Sequence, residues 1–293
     1  MVAPRSYPAK MLLAGEYAVL LGSPGLAIPL PSYALRWARS NDQVPDPRLF
    51  EFAQALATDS PSHELLDLDA FNAALHEGWF LSGNIPLAYG MGSSGAVCAA
   101  VYDRFGTMKS TDPPVIRDHL RRMEAHFHGS SSGLDPLVSY LAKPVRIDGS
   151  SLEILEFPLQ KDLYPMGVRM IDSGIPRSTR PLVTWFERQL QSPVYSDKIQ
   201  TFVSINRKLI DALTTGNVHA LFNTWESVST LSLEIFPAMI PESILSSWRS
   251  GLQNRSYFLK LCGAGGGGLF LVLVKDEDAF KKENGQWIKG NVG

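Results

Sequence analysis

The chain has 293 residues, with 27 Lys+Arg against 29 Asp+Glu, a formal net charge of −2, and only two cysteines. That length can bury a sizeable core, and 45% hydrophobic with 19% charged residues excludes a disordered chain. The near-neutral balance argues against a polybasic nucleic-acid binder. Cys98 and Cys262 are too few for a disulfide scaffold or a cysteine-built zinc site, so a reduced, cytoplasmic setting is expected.

Residues 11–30 are apolar enough to resemble a signal or membrane segment, but Glu16 sits inside and Gly15, Gly22, Pro24, Gly25 and Pro29 interrupt it. No other run is long enough to span a bilayer, so no membrane span is expected. Residues 10–14 and 17–21 read as strands, with a turn at 22–25 and a further strand at 33–38. Asp46-Pro47 is a helix-start signal for a face carrying Leu49, Phe52 and Leu56. A polar Gly/Pro stretch runs over 82–92. Residues 94–105 predict a helix on Val97, Val101 and Phe105. Asp112-Pro113-Pro114 opens a second helix striped by Ile116, Leu120, Met123 and Phe127, and 136–142 predict a third. Residues 144–157 alternate around Asp148-Gly149-Ser150, a hairpin pattern, and 168–171 form a short strand. Residues 181–249 are helical, with breaks near Pro193, Gly216 and Pro237. Strands at 257–261 and 269–274 flank a glycine run, and the tail from Glu283 reads as frayed. The shift from strand-rich to helix-rich sequence divides the chain into 1–158 and 159–293.

Four segments can carry chemistry. Gly90-Met91-Gly92-Ser93-Ser94-Gly95-Ala96 opens a helix, where small residues, backbone N–H groups and the helix dipole suit an anion. It is also literally G-x-G-x-x-G, but no buried strand precedes it and no acid ends a second strand after it, so the nicotinamide reading fails on context. The plain alternative is a turn capped by Ser93 or Ser94. In the second segment, Glu124 to Pro136, Asp135-Pro136 has the form of a helix N-cap with proline at the first helical position. Glu124 lies about 60–80° from the centre of its helix's apolar stripe, as an ordinary boundary carboxylate or one facing a cleft. His126 and His128 have metal-pair spacing but no third ligand. The third segment is Gly263-Ala264-Gly265-Gly266-Gly267-Gly268. Four consecutive glycines cost conformational entropy and point to backbone that closely approaches a ligand or another segment. The fourth is Lys10 to Tyr17, an apolar strand bounded by a lysine and a glutamate.

In this order the segments resemble the GHMP small-molecule kinases, the mevalonate kinase branch above all. Pro8-Ala9-Lys10 with Gly15-Glu16-Tyr17 is similar to the family's opening motif, and residues 90–96 to its phosphate loop. Glu124, His128, Gly129, Ser132, Gly133 and Asp135 match the spacing of a further motif. Lys260-Leu261-Cys262 with the glycine run resembles the last, and Ile175 to Val183 a fifth. Departures from the family pattern are Tyr17 for His, Ala9 for Gly, Gly95 for Ala and Cys262 for Thr. Gly-Glu-Tyr also resembles the phosphomevalonate kinases.

The resemblance implies an α+β fold, with a ribosomal-S5-like N-terminal half, a ferredoxin-like C-terminal half and the active cleft between. It implies ATP and Mg²⁺, with Gly90, Met91, Gly92, Ser93, Ser94 and Gly95 on the nucleotide, Ser94 and Glu124 on the metal, and Asp135 and Lys10 catalytic. The acceptor would be a small anionic alcohol, mevalonate first, with Glu16, Tyr17, His128, Arg177, Thr179, Ala264 and Gly265 on the substrate side. Phosphomevalonate, another small acceptor, or a catalytically silent binding protein of this fold are the alternatives. A monomer or homodimer without nucleic-acid or membrane partners is expected.

Overall fold

A computed structural model describes residues 5–40, 46–58, 64–87, 89–129, 131–155, 166–176, 179–190, 192–284 and 288–291. Strand β1 (Ser6–Ala14) is followed by a 3-10 turn, Ala18–Leu21, and by β2 (Gly25–Arg39). Residues 17–21 are therefore not a strand. Gly15 at φ 116 and Tyr17 at φ 58 take the backbone out of the extended region, which ends the strand at Ala14. The next elements are α1 (Pro47–Ala57), α2 (Leu68–His76), β3 (Trp79–Gly83), α3 (Ser93–Phe105), α4 (Pro113–His128) and α5 (Leu134–Leu141). Strands β4 (Val145–Asp148), β5 (Ser151–Ile154) and β6 (Val168–Asp172) precede α6 (Thr179–Gln189), α7 (Pro193–Thr215), α8 (Val218–Ile235) and α9 (Glu242–Asn254). The chain closes with β7 (Tyr257–Leu261), β8 (Leu269–Val274), α10 (Glu277–Asn284) and β9 (Ile288–Asn291).

Local chemistry explains several of these boundaries. Asp46 accepts a hydrogen bond from the Arg48 amide and caps α1, as its Asp-Pro pair predicts. Asp67 caps α2 through the Ala70 amide. The breaks at Pro193 and Gly216 separate α6, α7 and α8 where the sequence places them. The supposedly frayed tail instead holds α10 and β9, and β9 pairs with β6. Likewise β3 begins three residues before the polar stretch and pairs antiparallel with β2, Leu35 opposite Gly83 and Arg39 opposite Trp79.

Strands β1, β2, β4 and β5 pair in that order, with β3 also on β2, and a second sheet runs β7-β8-β6-β9. The backbone divides into two units, each discontinuous in sequence. One holds residues 1–10, 29–86 and 91–145, and the other 11–28, 87–90 and 146–293. The expected boundary at 158/159 lies outside the described residues. In the first unit the core joins Phe71 and Phe105, α3 residues such as Val101 and Tyr102, and the α4 stripe of Ile116, Leu120 and Met123, all buried. Phe127, the last member of that stripe, is exposed and rests on Phe52. In the second unit β6, β7 and β8 are buried throughout, and Trp225 of α8 and Trp248 of α9 pack on Lys260 of β7 and Phe270 of β8.

Candidate active site

In the first unit, β1 delivers Lys10 to the start of α3. The Lys10 amide donates to the Met91 carbonyl at 2.8 Å, which fixes the strand against the loop. Gly92 occupies the N-cap of α3 at φ 70 and brings no side-chain acceptor, so neither Ser93 nor Ser94 is the cap; both belong to the first turn. A Cβ on Gly92 would lie 3.3 Å from Asp135 Oδ2 and 3.5 Å from Lys10 Cβ, which places both side chains at this helix end.

Asp135 is not an N-cap either. Helix α5 starts two residues earlier than expected, at Leu134, with Gly133 at φ 71 as its N-cap, so Asp135 sits inside the first turn. Its carboxylate is free of capping duty, and Lys10 Nζ lies 2.8 Å from Oδ2. Lys10 is 8% exposed. A buried ammonium needs a partner, and Asp135 supplies it.

Glu124 on α4 is also buried, at 5% exposure. Ser94 Oγ donates to its Oε1 at 3.2 Å, and the Ser131 hydroxyl donates to Oε2. Burial first, then the nearby Asp135 charge, pushes the Glu124 carboxyl up to about 7. The Ser131 and Ser94 hydrogen bonds and the Lys10 charge oppose that shift. The sequence left this carboxylate at a stripe boundary or facing a cleft; packing turns it inward, onto α3.

These donors fit a magnesium ion. Burial disfavours the ionised carboxylate here, so an added cation would be stabilising, and the Ser94 and Glu124 oxygens are hard donors. Among the described residues no group of three or more His, Cys, Asp or Glu is placed to hold a metal. A protein site with so few ligands suits Mg²⁺, which usually completes its shell with water and substrate phosphates.

The second unit assembles a separate cluster around the glycine run. Lys260 Nζ donates to Glu16 Oε1 at 2.5 Å and to the Leu261 carbonyl at 2.7 Å, with both side chains fully enclosed. Tyr17 Oη donates to the Ala264 carbonyl at 2.7 Å, while its ring stacks on Phe236 at 4.9 Å and tilts against Phe186 at 4.7 Å. The glycines are explained by contact with other segments. A Cβ at Gly265 would sit 2.7 Å from the Met239 carbonyl oxygen, and one at Gly267 would sit 2.4 Å from that of Ile175.

Thr179 opens α6 and His128 closes α4, but their side chains lie outside the described residues, as does all of Arg177. Sequence reasoning gave no weight to Ser131 or to the Glu16–Lys260 pair. Three consecutive serines before Gly133, and a lysine inside the apolar strand 257–261, were the available signals.

Residues 48–143 match the family model for the GHMP kinases N terminal domain. The α+β fold is that of the solved GHMP kinases, the fold class that the family resemblance implies. Within that class it is similar to mevalonate kinases. The mevalonate kinase of Thermococcus gammatolerans is 24% identical over 326 residues, spanning 94% of this chain and 90% of that protein. The crystal structure of L. major mevalonate kinase in complex with R-mevalonate aligns with a TM-score of 0.65 at 16% identity, covering 97% of this chain and 93% of that one. Streptococcus pneumoniae phosphomevalonate kinase in complex with phosphomevalonate and AMPPNP aligns at 0.66 and 16%, covering 98% and 96%.

Proposed function

We propose that this chain is an ATP-dependent kinase that transfers the γ-phosphoryl group to the hydroxyl of mevalonate, giving 5-phosphomevalonate. The observation that carries the reading is the Lys10–Asp135 pair at 2.8 Å, set at the glycine-capped start of α3 where Glu124 and Ser94 also meet. Phosphoryl transfer is catalysed mainly by positioning and charge stabilisation, and these residues provide both.

Backbone N–H groups of residues 90–95, at the positive end of α3, hold the nucleotide phosphates. Ser94 and Glu124 would hold Mg²⁺, which would neutralise charge on those phosphates. Asp135 accepts the proton of the acceptor hydroxyl as its oxygen bonds to the γ-phosphorus and the β–γ bridging P–O bond breaks, releasing ADP. Lys10 fixes the Asp135 carboxylate and adds a positive charge beside the reacting oxygen. His128, Arg177, Thr179, Ala264 and Gly265 are assigned to the acceptor together with Glu16 and Tyr17. Arg177 suits a carboxylate or phosphate on it.

Phosphomevalonate is the second reading, favoured by Gly15-Glu16-Tyr17, which resembles the phosphomevalonate kinases. The base at Asp135 belongs to the mevalonate reading; the phosphate of phosphomevalonate, with a second pKa of about 6, is already ionised at neutral pH and needs no base. Asp135→Asn is expected to lower kcat by about 10²-fold or more, the usual scale for losing a positioned base, while MgATP affinity is nearly unchanged. Steady-state turnover close to wild type would remove Asp135 from that role.

A further inference from the structure

Glu16 and Tyr17 both end in contacts with their own unit. Glu16 is 4% exposed and its carboxylate is engaged by Lys260, which is 1% exposed. Tyr17 is 5% exposed, with its hydroxyl on Ala264. A fully buried ion pair is poor evidence of stabilisation, because the desolvation of two charges can exceed their attraction. Tyr17 is also one of three non-glycine residues with positive φ among those described, an uncommon conformation for a bulky side chain. Backbone strain of that kind persists only where the surroundings over-determine it.

All these contacts converge on the glycine run. Its far end is fastened by Ser173, whose amide and hydroxyl both reach the Gly268 carbonyl, at 3.0 and 2.9 Å. Its middle is fastened by the Gly266 amide on the Met239 carbonyl at 2.6 Å. At its near end, Lys260 binds the Leu261 carbonyl and Tyr17 binds that of Ala264. A segment with four consecutive glycines has an unusually large conformational entropy to lose, so its geometry depends on such anchors.

We propose that Tyr17, held in its strained conformation beside the buried Glu16–Lys260 pair, is a positioning residue that latches the 263–268 turn into the shape that receives the acceptor. Glu16 and Tyr17, assigned above to the acceptor side, then serve the acceptor indirectly, through the turn they hold, because both are buried and engaged within their own unit. The proposal rests on the assignment of Ala264 and Gly265 to the acceptor.

The full chain tests it. Tyr17→Phe keeps the ring stack and removes one hydroxyl. The acceptor KM is expected to rise about five- to tenfold, with the MgATP KM held within about twofold and kcat changing less than the acceptor KM. Amide hydrogen exchange over 263–268 in the ligand-free protein is expected to quicken by a similar factor. A double variant, Glu16→Gln with Lys260→Met, removes both charges at similar volume and is expected to stay folded with the same acceptor-selective effect. Unchanged exchange in Tyr17→Phe overturns the latch, whatever the activity. Faster exchange with an unchanged acceptor KM, or with both KM values rising together, overturns its role towards the acceptor. A wild-type chain inert towards every alcohol overturns the kinase assignment instead, and the exchange result still decides the latch.

Discussion

Glu124 carries the most informative charge in the first unit, because its proton and the proposed Mg²⁺ would compete for one carboxylate. With its pKa pushed up to about 7, Glu124 is mostly protonated below neutrality and offers an anionic ligand only above it. The magnesium concentration giving half-maximal turnover is therefore expected to rise steeply as pH falls below about 7, and Glu124→Gln should flatten that dependence. A magnesium requirement independent of pH between 6 and 8 in the wild type would contradict the assignment. In the metal-free protein, folded Glu124 keeps its proton up to about pH 7 and the unfolded chain only to about 4.3. The group thus favours the folded state in acid, and that contribution is lost as pH rises through about 7. Lys10, Ser94, Glu124 and Asp135 were singled out together only through the family resemblance. Ser131 was not, because which hydroxyl finds a buried carboxylate is settled by how α4 packs, and local sequence does not carry it.

At the scale of elements, the site depends on how closely α3 and α5 approach. Gly95 stands where the family pattern has alanine, and a Cβ there would lie 2.8 Å from Pro136 N and 3.0 Å from Asp135 Cβ. These are mostly backbone contacts and cannot swing away. Gly95→Ala is expected to part the two helices, costing about 1–3 kcal/mol of stability. It should also lower kcat, because Asp135 moves away from Lys10. A variant with wild-type melting temperature and kcat would show that this approach is not needed. The helices were largely readable, since Asp46-Pro47, Asp112-Pro113 and Gly216 mark their ends by local chemistry. The misread elements were decided elsewhere. Residues 288–291 form a strand because β6 offers them an edge, and 17–21 fail to form one because of two positive φ angles.

For the whole molecule, the near-neutral charge reads as local pairing. Among the described residues the two most buried lysines, Lys10 and Lys260, each face a carboxylate, so these cations are paired locally. Among the described residues no helix is long and apolar enough to cross a membrane. The fold itself was legible only through resemblance. Periodicity finds strands at 168–171, 257–261 and 269–274, but not that the first pairs across about a hundred residues with the last. Two fold relatives, one in complex with R-mevalonate and one with phosphomevalonate, align equally well, so turnover is what distinguishes the acceptors. The direct measurement is ADP release, followed with a coupled assay, over mevalonate, phosphomevalonate, homoserine and galactose under saturating MgATP. Mevalonate is expected to give the highest kcat/KM; release with none of the four, or a clear preference for another of them, would contradict the mevalonate kinase assignment.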